Sequence, residues 1–273
     1  DVTGRRLQQR NIAHASQFTV IYDPMAVAEN LAFPLRNRGV APERIRQRVG
    51  QVAEMLEMSG HLDLRAAGLA ADAKQKISLG RGLVREDVSA VLFDEPLTVI
   101  DPHLKWQLRR KLKQIHHELR LTLVYVTHDQ VEALTFAEQV VVMTRGRAVQ
   151  IGSASDLFER PQHTFVGHFI GSPGMNFLPA GLAPGAPSGA TTLGVRPEYV
   201  TLAAPNAAGA VAGTVMQVQD IGTYWLVTSK VVGGTLVRAR LGGEQAMPKV
   251  GDAVWLGVVG SHTCYYKNEE LVA

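Results

Sequence analysis

The chain has 273 residues, of which 46% are apolar and 19% charged, and its net charge is +3 with nine histidines counted as neutral. This length allows one large domain or two modest ones, each with its own core, and the composition excludes a disordered tail. So small a net charge does not indicate nucleic-acid binding, which usually requires a clustered basic face. The single cysteine, Cys264, cannot form an internal disulfide and fits a reducing compartment.

Two features of the sequence bear on membranes. No apolar run approaches the roughly 20 residues that are needed to cross a bilayer. The first residues, Asp1 to Arg6, lack the apolar stretch of a secretory signal. Any membrane role is therefore expected to come through a partner.

Residues 1 to about 170 alternate short apolar segments with helical patterns, which is typical of α/β proteins. A first strand is predicted at residues 11–16. A helix is predicted to begin at Pro42, because proline suits the first helical position, and apolar residues follow it at helical spacing. A leucine-striped helix is expected after residue 103. Continuous apolar runs predict three buried strands, at residues 88–93, 123–126 and 140–143.

The composition changes near residue 178. Residues 179–192 are rich in Pro, Gly, Ala and Ser, which indicates a linker or a long loop. Several short strand-like runs follow, separated by glycine turns, and they predict a small barrel or sandwich. The expected organisation is an α/β domain over residues 1–178, a linker over 179–192 and a small all-β accessory domain, taken as a barrel, over 193–273.

The strongest local signal is the pair Asp94-Glu95, which follows a buried apolar strand. Ligands of α/β proteins bind at the C-terminal edge of a parallel sheet. The first acid can hold Mg²⁺ directly or through water, and the second can orient or deprotonate an attacking water. The alternative is a strand-end acidic pair that merely faces solvent.

Two weaker signals accompany this pair. His128 follows the next predicted strand, where it could donate a hydrogen bond to a terminal phosphate, although a single histidine is often structural. Gln17 ends the first predicted strand and precedes the apolar residues 18–22. An apolar loop indicates a contact surface, and the alternative is that these side chains cover the core.

Together these residues resemble the nucleotide-binding subunit of ABC transporters. Gln17, Asp94-Glu95, Asp101 and His128 match that family in order and approximate spacing. The resemblance to its carbohydrate-importer branch covers nearly the whole chain and extends to residues 81–85, 129–133, 171–173, 176–177 and 194–198.

The resemblance implies a role for each of these residues. Asp94 and Gln17 hold Mg²⁺, Glu95 is the catalytic base, and His128 is the switch that senses the γ-phosphate of ATP. Gln17 also links the nucleotide to the membrane partner, and Asp101 lies in a loop that crosses the dimer interface. The implied fold is a P-loop NTPase-like domain that lacks its first strands and phosphate loop, followed by an accessory β-barrel. The implied partners are two membrane-spanning permease subunits and, indirectly, a solute-binding protein, at the cytoplasmic face of the membrane.

The phosphate loop is the first departure from the family. The sequence contains no G-x-x-x-x-G-K-[ST], the loop whose backbone N–H groups and lysine surround the phosphates. In the family it lies upstream of the region that matches residues 1–3. The chain is therefore expected to lack an N-terminal piece, by truncation or by true loss, and to bind ATP poorly or not at all as it stands.

The signature segment is the second departure. Family members carry Leu-Ser-Gly-Gly-Gln at the start of a helix, and the matching residues here are Leu69, Ala70, Ala71, Asp72 and Ala73. In the family this segment reaches the γ-phosphate held by the partner subunit. At about 4 Å and an effective dielectric constant near 20, a like-charge pair costs roughly 4 kcal/mol. A helix N-terminus stabilises a nearby anion by only about 0.3–1 kcal/mol. Asp72 is therefore expected to repel the phosphate unless Lys74 or Lys76 offsets its charge.

These departures predict an unequal pair of sites. A homodimer would carry the altered signature at both sites, whereas a heterodimer with a normal partner would keep one site intact. The complete protein is therefore expected to pair with a second, different ATPase subunit. Residues 71–76 and 97–102 look most like the glycerol-uptake systems, which indicates import of glycerol or a related small polyol or sugar.

Two rival functions remain at this point. A pseudo-ATPase or regulatory remnant that only binds partners is favoured by the absent phosphate loop and opposed by the intact Asp94, Glu95 and His128. A DNA-repair ABC ATPase lacks support, because no long coiled coil interrupts the predicted motor domain.

Overall fold

The computed structural model describes residues 2–6, 9–98, 100, 102–182, 185–244 and 246–272, without the side chains of 102–104, 118 and 119. The predicted site residue Asp101 lies outside the described residues. The chain forms two compact units, Asp1–Phe136 and Ala137–Ala273. The division of the sequence at residues 178 and 192 stays a prediction.

The first unit is built on a three-stranded parallel sheet in the order β1-β2-β3. Its strands are β1 (Ile12–Ala15), β2 (Ala90–Asp94) and β3 (Leu123–Val126). All three strands were predicted from the sequence, β2 and β3 from their apolar runs. The register pairs Ala15 with Phe93 and Asp94 with Val126, so the polar residues after each strand come to the same edge of the sheet.

In the described part of the first unit there are also five α-helices: α1 (Val27–Arg36), α2 (Pro42–Met55), α3 (Ala71–Leu83), α4 (Pro102–Leu119) and α5 (Gln130–Phe136). Short 3₁₀ turns lie at Ser59–His61 and Ala66–Gly68. The predicted helix at Pro42 is confirmed, with proline in its first turn. Helix α3 packs closely on its neighbours at Gly80, where a Cβ atom would lie 2.5 Å from Leu31 Cδ2.

The expectation of burial on both faces is wrong for β3. Val124 is 48% exposed and Val126 is 52% exposed, because β3 is an outer strand of the described sheet and one of its faces is open. Strand β2 fits the expectation better, since Val91 and Phe93 are fully buried and Leu92 is half-buried.

The second unit begins with a two-stranded antiparallel sheet, β4 (Val140–Thr144) and β5 (Arg147–Gly152). The predicted burial of the run at 140–143 is also wrong, because Val141 and Met143 face solvent while Val140 and Val142 are buried. Two short helices follow, α6 (Ala154–Glu159) and α7 (Thr164–Phe169).

Over the residues that the structure describes after α7, nine further strands form two antiparallel sheets. The four-stranded sheet has the order β14-β13-β7-β6, from β6 (Asn176–Pro179), β7 (Thr192–Val195), β13 (Cys264–Lys267) and β14 (Glu270–Leu271). The five-stranded sheet has the order β11-β10-β9-β12-β8, from β8 (Thr201–Ala203), β9 (Ala210–Asp220), β10 (Trp225–Val231), β11 (Leu236–Leu241) and β12 (Ala253–Gly257). The predicted β-rich character is confirmed, whereas closure into a barrel stays a prediction.

The Pro- and Gly-rich segment 179–192 joins β6 to β7, which pair as neighbours in one sheet. Short 3₁₀ turns lie within it at Ala180–Leu182 and after β7 at Pro197–Tyr199. Ala180 is buried against the valine- and leucine-rich core of the second unit.

One buried arginine caps both short helices of the second unit. The Arg196 guanidinium donates hydrogen bonds to the carbonyl oxygens of Leu157, Phe158 and Ile170. These carbonyls lie at the ends of α6 and α7, where intrahelical partners are lacking. The same guanidinium lies 4.0 Å from the ring centroid of Phe158.

Within the described residues, no helix combines the length and the apolar character that crossing a membrane requires.

Candidate functional site

The backbone turns sharply where β2 ends. Glu95 has a φ of 45°, in the left-handed region that side-chain-bearing residues rarely adopt. Its N–H donates to the carbonyl oxygen of Val126 at 2.9 Å, which continues the β2–β3 ladder by one more bond. Unusual backbone conformations of this kind are concentrated at functional sites, where the surrounding structure maintains them.

The Glu95 carboxylate is the centre of a polar cluster. Its Oε2 atom accepts hydrogen bonds from Gln17 Nε2 at 3.1 Å and from Thr98 Oγ1 at 3.2 Å. His128 Nδ1 lies 3.2 Å from the same oxygen. The structure thus brings together Gln17, Glu95 and His128, which the sequence pattern singled out from three different strands.

Asp94 is exposed at the end of β2, beside this cluster in sequence and at the same edge of the sheet. Among the described residues, no group of three or more His, Cys, Asp and Glu side chains is close enough to hold a metal ion. A Mg²⁺ ion held by Asp94 and Gln17 would therefore take its remaining oxygen ligands from water or from substrate. One or two carboxylates with retained waters is the usual pattern for Mg²⁺.

The turn that carries His128 is held by its neighbours. Asp129 Oδ1 accepts from the N–H groups of Val131 and Glu132 at 2.8 and 3.2 Å, and so caps α5. The buried Glu132 carboxylate accepts from Thr127 Oγ1 at 2.9 Å and from the Tyr125 hydroxyl at 3.1 Å. Burial, and next the Glu132 charge, raise the pKa of Tyr125 and keep this hydroxyl a donor.

The residues after Gln17 present apolar side chains to solvent. Phe18 is 79% exposed and Val20 is 53% exposed, so the alternative that they cover the core is wrong for these two. Ile21, by contrast, packs against a core cluster of the first unit. We call residues 17–22 the glutamine loop. Exposed apolar side chains in a loop are candidates for contact with another protein.

The candidate signature residues, 69–73, lie at the start of α3, as predicted for this segment. Ala70 occupies the N-cap position and has no side-chain oxygen to cap the helix, and Asp72 lies in the first turn. Of the two lysines that could offset the Asp72 charge, Lys74 pairs with Asp23, with its Nζ 3.0 Å from Asp23 Oδ1.

Sequence reasoning missed two polar residues close to the site. Thr98 bonds to the Glu95 carboxylate, but a threonine in a turn carries no signal of its own. Gln75 lies fully buried in α3 and contacts both the glutamine loop and the residue after Glu95. Its position one helical turn before the buried Leu79 places a polar residue on an apolar face, and this is the signal that could have found it.

Known proteins share both parts of this architecture. The family described as TOBE domain matches residues 193–264. The sn-glycerol-3-phosphate import ATP-binding protein UgpC of Salmonella typhimurium is 39% identical over 277 residues, covering 93% of this chain and 76% of the relative. The chain belongs to the ATP-binding subunits of ABC importers.

Other relatives extend the same match. The UgpC proteins of Vibrio cholerae and Yersinia enterocolitica are each 37% identical to the chain. They cover 85% and 93% of it, over 68% and 76% of their own lengths. The importer-subunit identity accounts for the α/β unit with its parallel sheet and for the β-rich TOBE domain. It also confirms the resemblance that the motifs around Gln17, Glu95 and His128 indicated.

Proposed function

We propose that this importer subunit, in a full-length protein that carries a phosphate loop, hydrolyses ATP as part of its complex and thereby drives uptake of glycerol or a related small polyol or sugar, including phosphorylated forms. The convergence of Gln17, Thr98 and His128 on one oxygen of Glu95 carries the proposal. A pure scaffold does not require a carboxylate that is surrounded by an amide, a hydroxyl and an imidazole at a sheet edge. The UgpC relatives, named for sn-glycerol-3-phosphate import, support the solute class.

The proposed chemistry assigns a role to each side chain. Glu95 orients and deprotonates the attacking water, for which a carboxylate held in a fixed position is suited. His128, exposed on the neighbouring strand end, donates to the terminal phosphoryl group. Asp94 and Gln17 would hold Mg²⁺, which neutralises charge on the phosphates when bound. Asp101 is proposed to lie at the interface between two ATPase subunits.

The proposal includes its partners. Two permease subunits, which in turn receive solute from a binding protein, would dock on the exposed apolar side chains of the glutamine loop. This places the subunit at the cytoplasmic face of the membrane, with the ATPase domain at 1–178, the linker at 179–192 and the accessory barrel at 193–273. No role with nucleic acid is proposed.

The second ATPase subunit is proposed to differ from this one. Asp72 lies in the first turn of α3, the position that faces the partner's nucleotide in the resemblance. Lys74, the nearest following cation, already pairs with Asp23. A phosphate at that helix end would meet an anion, so a homodimer would weaken both of its sites, whereas a heterodimer keeps one.

The experiment measures ATP turnover by the full-length protein, phosphate loop included, purified with its membrane subunits and its second ATPase subunit. The Glu95→Gln variant is expected to lower turnover by at least about 10²-fold, the scale of a lost general base. Glu54→Gln, at an exposed glutamate of α2, is the matched control and should leave the rate unchanged. Turnover of Glu95→Gln within a few-fold of wild type would refute the assignment, and robust turnover by the protein without its second subunit would refute the heterodimer.

A non-hydrolysing, partner-binding subunit is the second candidate. The replacement of the family's Ser-Gly-Gly by Ala70, Ala71 and Asp72 favours it, since a subunit released from turnover need not keep its signature. The same assay separates the two functions. An unchanged rate in Glu95→Gln, together with assembly that depends on this subunit, would favour the second candidate.

A further inference from the structure

Gln75 is a polar side chain placed in the interior of the first unit. It is 1% exposed and lies on α3, in the turn that follows Asp72. A buried amide has to satisfy both its acceptor and its donor within the protein. The hydrogen-bond partners of the Gln75 amide therefore show which segments of the chain it connects.

The two ends of the Gln75 amide bind two different functional segments. Oε1 accepts a hydrogen bond from Thr19 Oγ1 at 2.7 Å, inside the glutamine loop. Nε2 donates to the carbonyl oxygen of Pro96 at 2.6 Å, immediately after Glu95. We call residues 94–98 the acidic turn. One side chain thus joins the glutamine loop, the acidic turn and the helix that begins with the signature segment.

We propose that Gln75 is a positioning residue that couples the glutamine loop to the acidic turn. Because the amide is buried, neither end can exchange its partner for water. A displacement of Thr19 therefore acts on Pro96 through one planar group, and through Pro96 on the orientation of Glu95. This inference rests on the proposed function, in which the glutamine loop contacts the membrane partner and Glu95 acts on water.

A second contact shows that the glutamine loop lies along α3. The N–H of Val20 donates to Ser78 Oγ at 3.4 Å, one helical turn beyond Gln75. This bond ties the loop to the helix but does not reach the acidic turn. Ser78 therefore provides a matched control, because its loss loosens the same loop and leaves the link from Gln75 to Pro96 intact.

The test measures hydrogen exchange of backbone amides in the ligand-free full chain. Thr19→Val removes the hydroxyl that Gln75 binds, and Thr19 has no hydrogen bond to the acidic turn among the described contacts. Coupling predicts at least tenfold faster exchange at Glu95, Leu97 and Thr98 in this variant. Ser78→Ala is expected to accelerate exchange only in the glutamine loop.

Gln75→Glu provides an independent variant. A carboxylate still accepts from Thr19 but cannot donate to Pro96, so exchange should rise in the acidic turn more than in the glutamine loop. If this variant does not fold, Thr19→Val still decides, since Thr19 is only half-buried. Acceleration confined to the glutamine loop in Thr19→Val, or equal acceleration of the acidic turn in Ser78→Ala, would overturn the proposal.

Turnover distinguishes this inference from the proposed function. In the assembled complex, Thr19→Val is expected to lower kcat for ATP several-fold with little change in KM, because Glu95 is displaced without loss of a nucleotide contact. Thr19→Ser, which restores the hydroxyl, should recover the rate. A wild-type complex without turnover would refute the function and leave the exchange result standing as evidence on coupling.

Discussion

Replacement of Arg196 by lysine should destabilise the second unit by about 2–3 kcal/mol. The guanidinium satisfies three carbonyl oxygens at once, those of Leu157, Phe158 and Ile170. A lysine ammonium lacks the planar fork and keeps at most one of these bonds. Each of the two carbonyls left without a partner costs roughly 1–1.5 kcal/mol at the low end of the usual penalty for a buried polar group.

Urea unfolding checks this value. With a slope of about 2 kcal/mol per molar urea, the midpoint should fall by about 1–1.5 M while the slope stays constant. Hydrogen exchange over residues 154–170 should rise in parallel, because the ends of α6 and α7 lose their caps. Arg147→Lys, the same replacement at an exposed position of β5, is the control and should shift the midpoint by less than about 0.25 M. Equal midpoints for the two variants would refute the capping argument.

Three further predictions concern other parts of the chain. Glu95→Gly should unfold with a free energy about 1 kcal/mol higher than Glu95→Ala in thermal or urea denaturation, because both variants lose the carboxylate but only glycine adopts a φ of 45° without strain. Equal stabilities of the two variants would contradict the strain. Gly80→Ala should cost about 1–3 kcal/mol, because the new Cβ would lie 2.5 Å from Leu31 Cδ2, and a neutral result would mean that α1 and α3 separate freely. The bond from Tyr199 to Glu159 raises the pKa of Tyr199 to about 12, above its ordinary 10. The stabilisation from this hydrogen bond is therefore present below pH 10 and lost as pH rises towards 12. The difference in unfolding midpoint between wild type and Tyr199→Phe should shrink over that range. A constant difference would contradict the linkage.

The convergence of Glu95 with His128 could be predicted because it depends on local patterns alone. Two apolar runs end in polar residues, and parallel strands place their carboxyl ends at one edge of a sheet. The pairing of β2 with β3 brings both residues there. The same rule predicted that Gln17, which follows β1, would lie at this edge of the sheet.

Other features depended on information that a single sequence does not carry. The burial of β3 was overestimated, because an apolar run does not reveal which strand is outermost in the described sheet. Thr98 contacts Glu95 across a turn in which Glu95 itself is in the left-handed region, a backbone conformation that the sequence pattern does not reveal. The Gln75 amide hydrogen-bonds two loops whose positions are set by tertiary packing. Its role therefore follows from the fold rather than from the spacing of residues in the sequence.

The two halves of the proposed machinery differ in how well they are preserved, and this has a physical consequence. The groups that would act on the subunit's own nucleotide are assembled around Glu95, whereas the start of α3 presents Asp72 where the partner's phosphate would lie. The favourable field of a helix N-terminus, about 0.3–1 kcal/mol, is small beside a repulsion of roughly 4 kcal/mol at close approach. Lys74 is already paired with Asp23, so Lys76 is the lysine left to compensate, and it would have to supply most of this difference. The balance therefore favours pairing with an unlike subunit, whose own signature can serve the nucleotide bound beside Glu95.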